Sequence, residues 1–168
     1  MTFVCCETKA KSNYPNVRTL NTLLRGCLWC AATPSADGTI VGGVVTAEMA
    51  WEKYKSLNIT EQQTSTVFDV SSYEYSITLL CQALRVKDAI SRISEMKLAF
   101  GISGEAKELA SSEDQSLTEG LAVAYCALAR AYTILKKKEQ AIDAIKTSLH
   151  FAKVSKDSLK RGSSFSSK

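Results

Sequence analysis

The chain has 168 residues, of which 45% are hydrophobic and 23% charged. These proportions are those of a globular domain with one continuous core, and they exclude a disordered or collagen-like chain. The formal net charge of +4 permits an anionic partner without requiring one. No stretch approaches the roughly 18 consecutive apolar residues of a transmembrane helix, so the sequence predicts no membrane partner.

Residues 1–14 form a short extension of mixed composition. They contain neither the apolar segment of a secretory signal nor the arginine-rich and serine-rich pattern of a transit peptide. We therefore expect a reduced, intracellular environment for the chain.

A break in the apolar periodicity separates the first two helices. Leucines at helical spacing predict a helix over residues 19–31, with Leu20 and Leu24 facing the core. Residues 32–45 contain one proline and three glycines, and they predict an insertion between two paired helices. Thr46 is the expected cap of the second helix.

Residues 70–100 predict two further helices joined by a turn near Arg85. Their apolar side chains recur at helical spacing, first at Tyr73, Ile77, Leu80 and Leu84, and then at Val86, Ala89, Ile90, Ile93 and Phe100. The charged residues Lys87, Asp88 and Arg92 fall between these positions, and we expect them to face solvent.

Two serine motifs predict where the third and fifth helices begin. Ser71 with Glu74, and likewise Ser116 with Glu119, have the spacing of a capping box, in which the serine caps the helix and the glutamate binds back to the serine amide. The third helix is therefore expected to start beside Ser71 and the fifth near Leu117.

The layout of the helix pairs repeats along the chain. Ala89 follows Val70 by 19 residues, and Ala141 follows Ala122 by the same interval. A small residue at this position lets two helices approach closely, so we expect both alanines at close helix crossings.

These patterns predict one helical domain built from helix-turn-helix repeats. Two short amphipathic helices cannot bury their apolar faces alone, so such units require neighbours of their own kind. The predicted segments are an extension at 1–14, a repeat domain at 15–154 with repeats at 17–57, 70–102 and 117–154, and a basic, serine-rich tail at 155–168.

Several segments resemble the pentatricopeptide repeat family. Residues 15–24 (PNVRTLNTLL) and 69–73 (DVSSY) resemble the openings of two such repeats, and residues 88–97 resemble the second helix of the motif. The third unit fits the related tetratricopeptide repeat at least as well, through Tyr125, Leu128, Ala129, Tyr132 and Ala141. The resemblance implies an all-α, right-handed α-solenoid of three antiparallel helix pairs.

The resemblance also implies a binding surface for single-stranded RNA on the concave face of the first helices, with about one base per repeat. Its base-reading positions are the fifth and last residues of a repeat, here Asn21 with Asp69, a pair that in this family favours uracil. Glu74 and Cys126 occupy the other fifth positions and depart from the usual residues. The remaining RNA-binding candidates are Arg18, Arg25 and Ser71.

The same residues have a purely structural interpretation. Asn21 is equally well explained as an exposed helix residue and Asp69 as a cap that precedes a helix. The capping-box motif already accounts for Glu74.

The sequence contains no catalytic or metal-binding constellation. Cys27 and Cys30 have a C-x-x-C spacing, but they fall within a predicted helix and lack a second such pair, and the only histidine is His150. We expect the cysteine pair to be reduced and free of metal, and we expect no catalytic residue, cofactor or small-molecule substrate. The chain is therefore interpreted as a non-enzyme.

Two functions of different classes remain open. The first is binding of single-stranded RNA in a mitochondrion or plastid, where the resemblance implies a role in RNA processing, stability or translation. The second is a protein-interaction scaffold of the tetratricopeptide type, or a subunit of a larger complex, which Glu74 and the third repeat favour. Whether the chain is a piece of a longer repeat array is open as well.

Overall fold

The structure is a computed structural model that describes residues 16–31, 41–59, 68–102 and 115–164. Within these ranges the chain forms α-helices and no β-strand, so the all-α prediction is confirmed there. In chain order the helices are α1 (Val17–Ala31), α2 (Val41–Ile59), α3 (Val70–Gln82), α4 (Val86–Ala99), α5 (Gln115–Ile134) and α6 (Lys138–Ser164).

The odd-numbered helices form a row in which α3 packs against α1 on one side and α5 on the other. Each of them is also covered by the helix that follows it, because α2 packs on α1, α4 on α3, and α6 on α5. The pair α5 and α6 is antiparallel: the Ser148 hydroxyl donates to the Ala122 carbonyl at 2.7 Å, and the Ser155 hydroxyl donates to Glu119 at 3.0 Å. We refer to the odd-numbered helices as the α1–α3–α5 row.

Asn16 and Asp69 cap the N-termini of α1 and α3, each through a side-chain oxygen. The Thr19 amide of α1 donates to Asn16 Oδ1 at 3.0 Å, and the Ser72 amide of α3 donates to Asp69 Oδ1 at 2.8 Å. Each cap satisfies an amide in the first turn that has no partner within its own helix. The predicted start of α3 beside Ser71 is nearly correct, but the predicted cap is wrong, because Asp69 caps the helix and Ser71 is an exposed residue inside it.

Two other predicted caps are also wrong. The second helix already begins at Val41, so Thr46 lies within it and residues 41–45 belong to a helix instead of the insertion. The fifth helix begins at Gln115, so Ser116 is a helical residue, and Glu119 accepts from the Gln115 side chain at 2.7 Å. In each case the helix starts earlier than the first residue with capping chemistry that the sequence pattern singles out.

Matching turns join α3 to α4 and α5 to α6. Leu84 and Lys136 have left-handed backbone angles, with φ of 58° and 57°. In the first turn the Arg85 amide donates to the Leu80 carbonyl at 2.9 Å, and in the second the Lys137 amide donates to the Tyr132 carbonyl at 2.9 Å. Both are Schellman turns, in which the left-handed position is usually occupied by glycine. The sequence pattern assigns Leu84 to the apolar stripe of a helix, but it is the turn residue.

The two alanines expected at close helix crossings are both buried, Ala89 completely and Ala141 nearly so. Another close approach is at Gly120 of α5. A Cβ atom there would lie 2.5 Å from Val70 Cγ1 and 3.2 Å from Met96 Cε, so the absence of a side chain lets α5 reach both α3 and α4.

The prediction that Arg92 faces solvent is wrong, because its side chain is buried between α2 and α4. Its guanidinium carbon lies 4.0 Å from the centroid of the Trp51 ring, and its Nη2 lies 3.2 Å from Glu48 Oε1. Trp51 is fully buried and its other contacts include a stacked Phe68, with ring centroids 3.7 Å apart. The arginine thus links α4 to α2 by stacking and by an ion pair.

The last helix extends further than the sequence pattern indicates. It continues to Ser164, whereas the third repeat is expected to end at residue 154 and to be followed by a tail. The predictions for residues 1–14, 32–40, 60–67, 103–114 and 165–168 lie outside the described residues. None of the described helices is both long enough and apolar enough to cross a membrane.

Candidate functional site

Asn21 and Asp69, which the sequence analysis pairs, are in direct contact. Asn21 Nδ2 donates to both carboxylate oxygens of Asp69, at 3.0 Å each, across the interface between α1 and α3. Both side chains are half-buried. The carboxylate lies there because Asp69 is the cap of α3, and the amide faces it because Asn21 lies one turn into α1.

Ser72 completes this cluster and is not among the sequence candidates. Its hydroxyl oxygen lies 2.6 Å from Asn21 Oδ1 and 2.8 Å from Asp69 Oδ1, and its single hydrogen can be donated to one of them at a time. Ser72 is fully buried. The cluster Asn21–Asp69–Ser72 is therefore a closed network that fixes the orientation of the Asn21 amide.

The network does not use the full hydrogen-bonding capacity of Asn21. An amide has two N–H donors and a carbonyl oxygen with two lone pairs. Because its two N–H bonds diverge widely, a single hydrogen lies between the two Asp69 oxygens and the other points elsewhere. The carbonyl oxygen likewise retains a lone pair beyond the one that faces Ser72. Asn21 thus has one N–H and one carbonyl lone pair that the network does not use.

Positive charge and an aromatic ring lie on the same helix as Asn21. Arg18, Arg25 and Trp29 recur at intervals of seven and four residues, so they share a stripe of α1, and all three are exposed. The guanidinium carbon of Arg25 lies 5.6 Å from the centroid of the Trp29 ring. No aspartate or glutamate occurs in α1. This part of the surface is therefore both cationic and aromatic.

The equivalent stripe of α3 is different. Ser71 is exposed and makes no side-chain contact with the Asn21–Asp69–Ser72 cluster. Glu74 is half-buried, and burial raises the pKa of its carboxyl group above the usual 4.5. Among the described residues, Glu74 accepts no hydrogen bond from the Ser71 amide, so the capping-box explanation of this residue is not supported. The structure brings Asn21 and Asp69 together, with Arg18 and Arg25 beside them, but leaves Ser71 and Glu74 apart from the cluster.

On α5, the third helix of the row, Cys126 and Arg130 are both exposed. Arg130 follows Cys126 at the same interval that separates Arg25 from Asn21 on α1. The α1–α3–α5 row therefore carries guanidinium groups on its first and third helices, with the Glu74 carboxyl between them on α3.

The cysteine pair of α1 points in two directions. Cys27 is buried and Cys30 is exposed, and none of the four cysteines in the described ranges forms a disulfide. Burial, and to a smaller extent the neighbouring Cys30, raises the pKa of the Cys27 thiol. Burial raises the pKa of Cys81 to about 12, which makes that thiol unreactive at neutral pH. No group of three potential metal ligands occurs among the described residues.

Comparisons of the chain with protein-family models, with curated proteins and with solved structures found no match. The pattern that resembles pentatricopeptide repeats therefore rests on the residues of this chain. Two features of the site have weak or no sequence signals. Ser72 is one of two adjacent serines, and it can be distinguished from Ser71 only once Asp69 is known to be the cap. The sequence signal of Trp29 is a tryptophan on an otherwise polar stripe of α1.

Proposed function

We propose that the chain binds single-stranded RNA along the α1–α3–α5 row, as a short pentatricopeptide-like array. The observation that carries this proposal is the contact between Asn21 and Asp69, at 3.0 Å to both carboxylate oxygens. The resemblance to pentatricopeptide repeats implies that these two residues are a base-reading pair, and they lie 48 residues apart in the sequence. In this proposal the array is a right-handed solenoid of three helix pairs; the matching turns at Leu84 and Lys136 support a repeated layout in two of these pairs.

In this proposal Asn21 binds the edge of an unpaired base. Its remaining N–H can donate to a carbonyl oxygen of the base, or its remaining carbonyl lone pair can accept from an N3–H group, and uracil has both groups. Since an amide alone also fits other bases, the preference for uracil rests on the resemblance of the Asn21–Asp69 pair. Asp69 and Ser72 hold the amide in place, which reduces the entropy lost on binding.

The arginines of the row bind phosphate groups. Arg18 and Arg25 are exposed beside the Asn21 site, and Arg130 lies at the corresponding place on α5. Guanidinium groups suit phosphate because they donate several parallel N–H bonds. Glu74 interrupts the row, because a carboxylate near phosphates is repelled by them. The expected affinity is therefore modest, with the strongest contacts at the first helix pair. The proposed setting is a mitochondrion or plastid, in RNA processing, stability or translation.

The salt dependence of RNA affinity tests this function. For single strands, each phosphate that the protein neutralises contributes about −0.7 to the slope of log affinity against log salt. Changing Arg25 to Gln should therefore flatten the slope by about 0.7 and weaken all sequences alike. Lys87, an exposed cation on α4 outside the row, provides the matched control, and Lys87→Gln should leave the slope unchanged. If the wild-type chain shows no affinity for single-stranded RNA at low salt, this proposal is wrong.

A second candidate is a scaffold that binds protein partners, and one feature of α6 favours it. Ile142, Ile145 and Leu149 are exposed and recur on a single stripe of this helix. An apolar stripe of this kind is typical of a surface that another helix covers. Under this alternative, Ile145→Glu should abolish co-purification of a partner from cells, whereas Arg25→Gln should not affect it. The reverse result would favour the RNA-binding proposal.

A further inference from the structure

The chain has two tryptophans in opposite environments. Trp51 is fully buried and packs against Phe68 and Arg92, whereas Trp29 is 70% exposed at the end of α1. Trp51 is a residue of the hydrophobic core, and its packing there accounts for its presence. Trp29 contributes little to it, and its large apolar ring remains in contact with water, which is unfavourable in the isolated chain.

The surroundings of Trp29 indicate what kind of group could cover it. Arg25 lies over the ring at 5.6 Å, so one side of the indole faces a guanidinium group. Among the described residues, no carboxylate lies within salt-bridge distance of Arg25, and α1 has none of its own. A ligand at this position thus meets an aromatic plane and an uncompensated positive charge together. Unpaired nucleotides combine a flat base with a phosphate and match both features.

We propose that Trp29, with Arg25, is a stacking site for one unpaired base of the bound RNA. This inference rests on the proposed function, and it adds a subsite that differs from the Asn21 position. Eight residues separate Asn21 and Trp29, which corresponds to about 12 Å along the helix axis. Two different nucleotides therefore occupy the two positions.

The two positions read RNA in different ways. Asn21 binds the edge of a base by hydrogen bonds and discriminates among bases. Trp29 contacts the face of a base, and every base has such a face, so this subsite tolerates any sequence. The affinity of the chain for single strands of any composition then depends on Trp29, whereas its preference among them depends on Asn21.

The test combines affinity and fluorescence for two variants, Trp29→Leu and Trp29→Phe. A short oligouridylate and an abasic ribose-phosphate strand of the same length are the probes. Trp29→Leu should weaken binding of the oligouridylate by about 5- to 150-fold, and Trp29→Phe by much less, because phenylalanine still stacks. The abasic strand should bind all three proteins equally. The oligouridylate should quench the emission of the exposed tryptophan in the wild-type protein and should leave the emission of Trp29→Leu unchanged.

These measurements distinguish failure of the stacking site from failure of the proposed RNA-binding function. Because Trp29 is exposed, both variants should retain the wild-type unfolding temperature, which a thermal scan checks first. If the oligouridylate binds the wild type and Trp29→Leu equally, or binds without quenching, the stacking site is refuted while RNA binding stands. If the wild-type protein binds neither strand at low salt, the proposed function itself fails.

Discussion

The side-chain amide of Asn21 donates to both carboxylate oxygens of Asp69 at 3.0 Å, and the same carboxylate caps α3 through the Ser72 amide. One aspartate thus performs two tasks: it starts a helix, and it orients an amide on the neighbouring helix. The two interpretations that the sequence leaves open for Asp69 are therefore compatible, because the cap places the carboxylate where Asn21 can reach it.

Removing this carboxylate should cost more than removing a helix cap alone. We expect Asp69→Ala to lower the free energy of unfolding by about 1 kcal/mol through removal of the cap and by roughly 1 kcal/mol more through removal of the hydrogen bonds to Asn21. Asn16→Ala is the matched control, because Asn16 caps α1 in the same way. Urea titration of both variants, and of Asn21→Ala with and without Asp69→Ala, measures the coupling. If the effects of Asn21→Ala and Asp69→Ala on the free energy of unfolding were strictly additive, the hydrogen bonds between Asn21 and Asp69 would contribute nothing to stability.

The two glycines of the helices in the row should respond oppositely to a methyl group. Alanine is favoured over glycine in a helix by about 1 kcal/mol, so Gly26→Ala, with no atom within 4 Å of the new Cβ, should stabilise the protein by that amount. At Gly120 the new Cβ would lie 2.5 Å from Val70 Cγ1, and overpacking of about 1–3 kcal/mol should outweigh the gain.

Chemical unfolding of both glycine variants checks this expectation. Val70→Ala should relieve much of the strain of Gly120→Ala, since Val70 supplies the closest atom. Equal stabilisation by the two glycine substitutions would mean that α5 does not approach α3 as closely as described.

The left-handed turn before α6 offers a stabilising substitution. Lys136 has φ of 57°, a conformation that costs a residue with a side chain about 1–2 kcal/mol. Lys136→Gly removes that cost but adds backbone entropy to the unfolded chain, so the net gain should be about 0.5–1 kcal/mol. At Lys146, an exposed residue inside α6 that lacks a positive φ, glycine should instead destabilise the protein by about 1 kcal/mol. Thermal unfolding of both variants distinguishes the turn position from the helical one, and a loss of stability in Lys136→Gly would contradict the described turn.

Glu74 should make stability depend on pH. Burial raises the pKa of its carboxyl in the folded chain, so ionisation of this group disfavours the folded state at every pH above that raised value. Glu74→Gln should therefore stabilise the protein at neutral pH. The advantage should shrink as the pH falls through the folded pKa, and it should vanish below the unfolded value of 4.5, where the wild-type side chain is neutral in both states.

Glu52→Gln, at an exposed position on α2, is the matched control for Glu74→Gln. Unfolding measured at neutral and at acidic pH compares the two variants. A stabilisation by Glu74→Gln that persists unchanged in acid would exclude burial of the charge as its cause.

The positions of the helices could be predicted from the sequence, because the apolar periodicity at residues such as Tyr73 and Ile77 reflects the face that each helix buries. The precise starts of three helices could not. Asp69 takes the capping role that the pattern assigns to Ser71, and Asp is as good a cap as Ser, so composition alone could not decide between adjacent candidates. Leu84 fits the apolar stripe of α3 by residue type, but its backbone closes the turn.

The burial of Arg92 could not be predicted from the pattern of its own segment, because its partners lie on another helix. A charged residue between apolar positions is expected to face solvent, yet Trp51 and Glu48 on α2 provide a ring and a carboxylate that stabilise it in a buried position. Both partners lie about forty residues away in sequence. The same limit applies to Ser72, whose role depends on where Asn21 lies on another helix. In contrast, Asn21 and Asp69 could be paired because the resemblance supplies a relation between distant positions.

Competition binding with short U-rich and A-rich single strands is the most direct test of a base-reading site at Asn21. We expect the wild-type chain to prefer the U-rich strand and Asn21→Ala to remove about 1–3 kcal/mol of this discrimination, a magnitude taken from specific base contacts in DNA complexes. Arg25→Gln should weaken binding of both strands while leaving their ratio intact. Equal affinity for the two strands, unchanged by Asn21→Ala, would contradict a base-reading role for this residue.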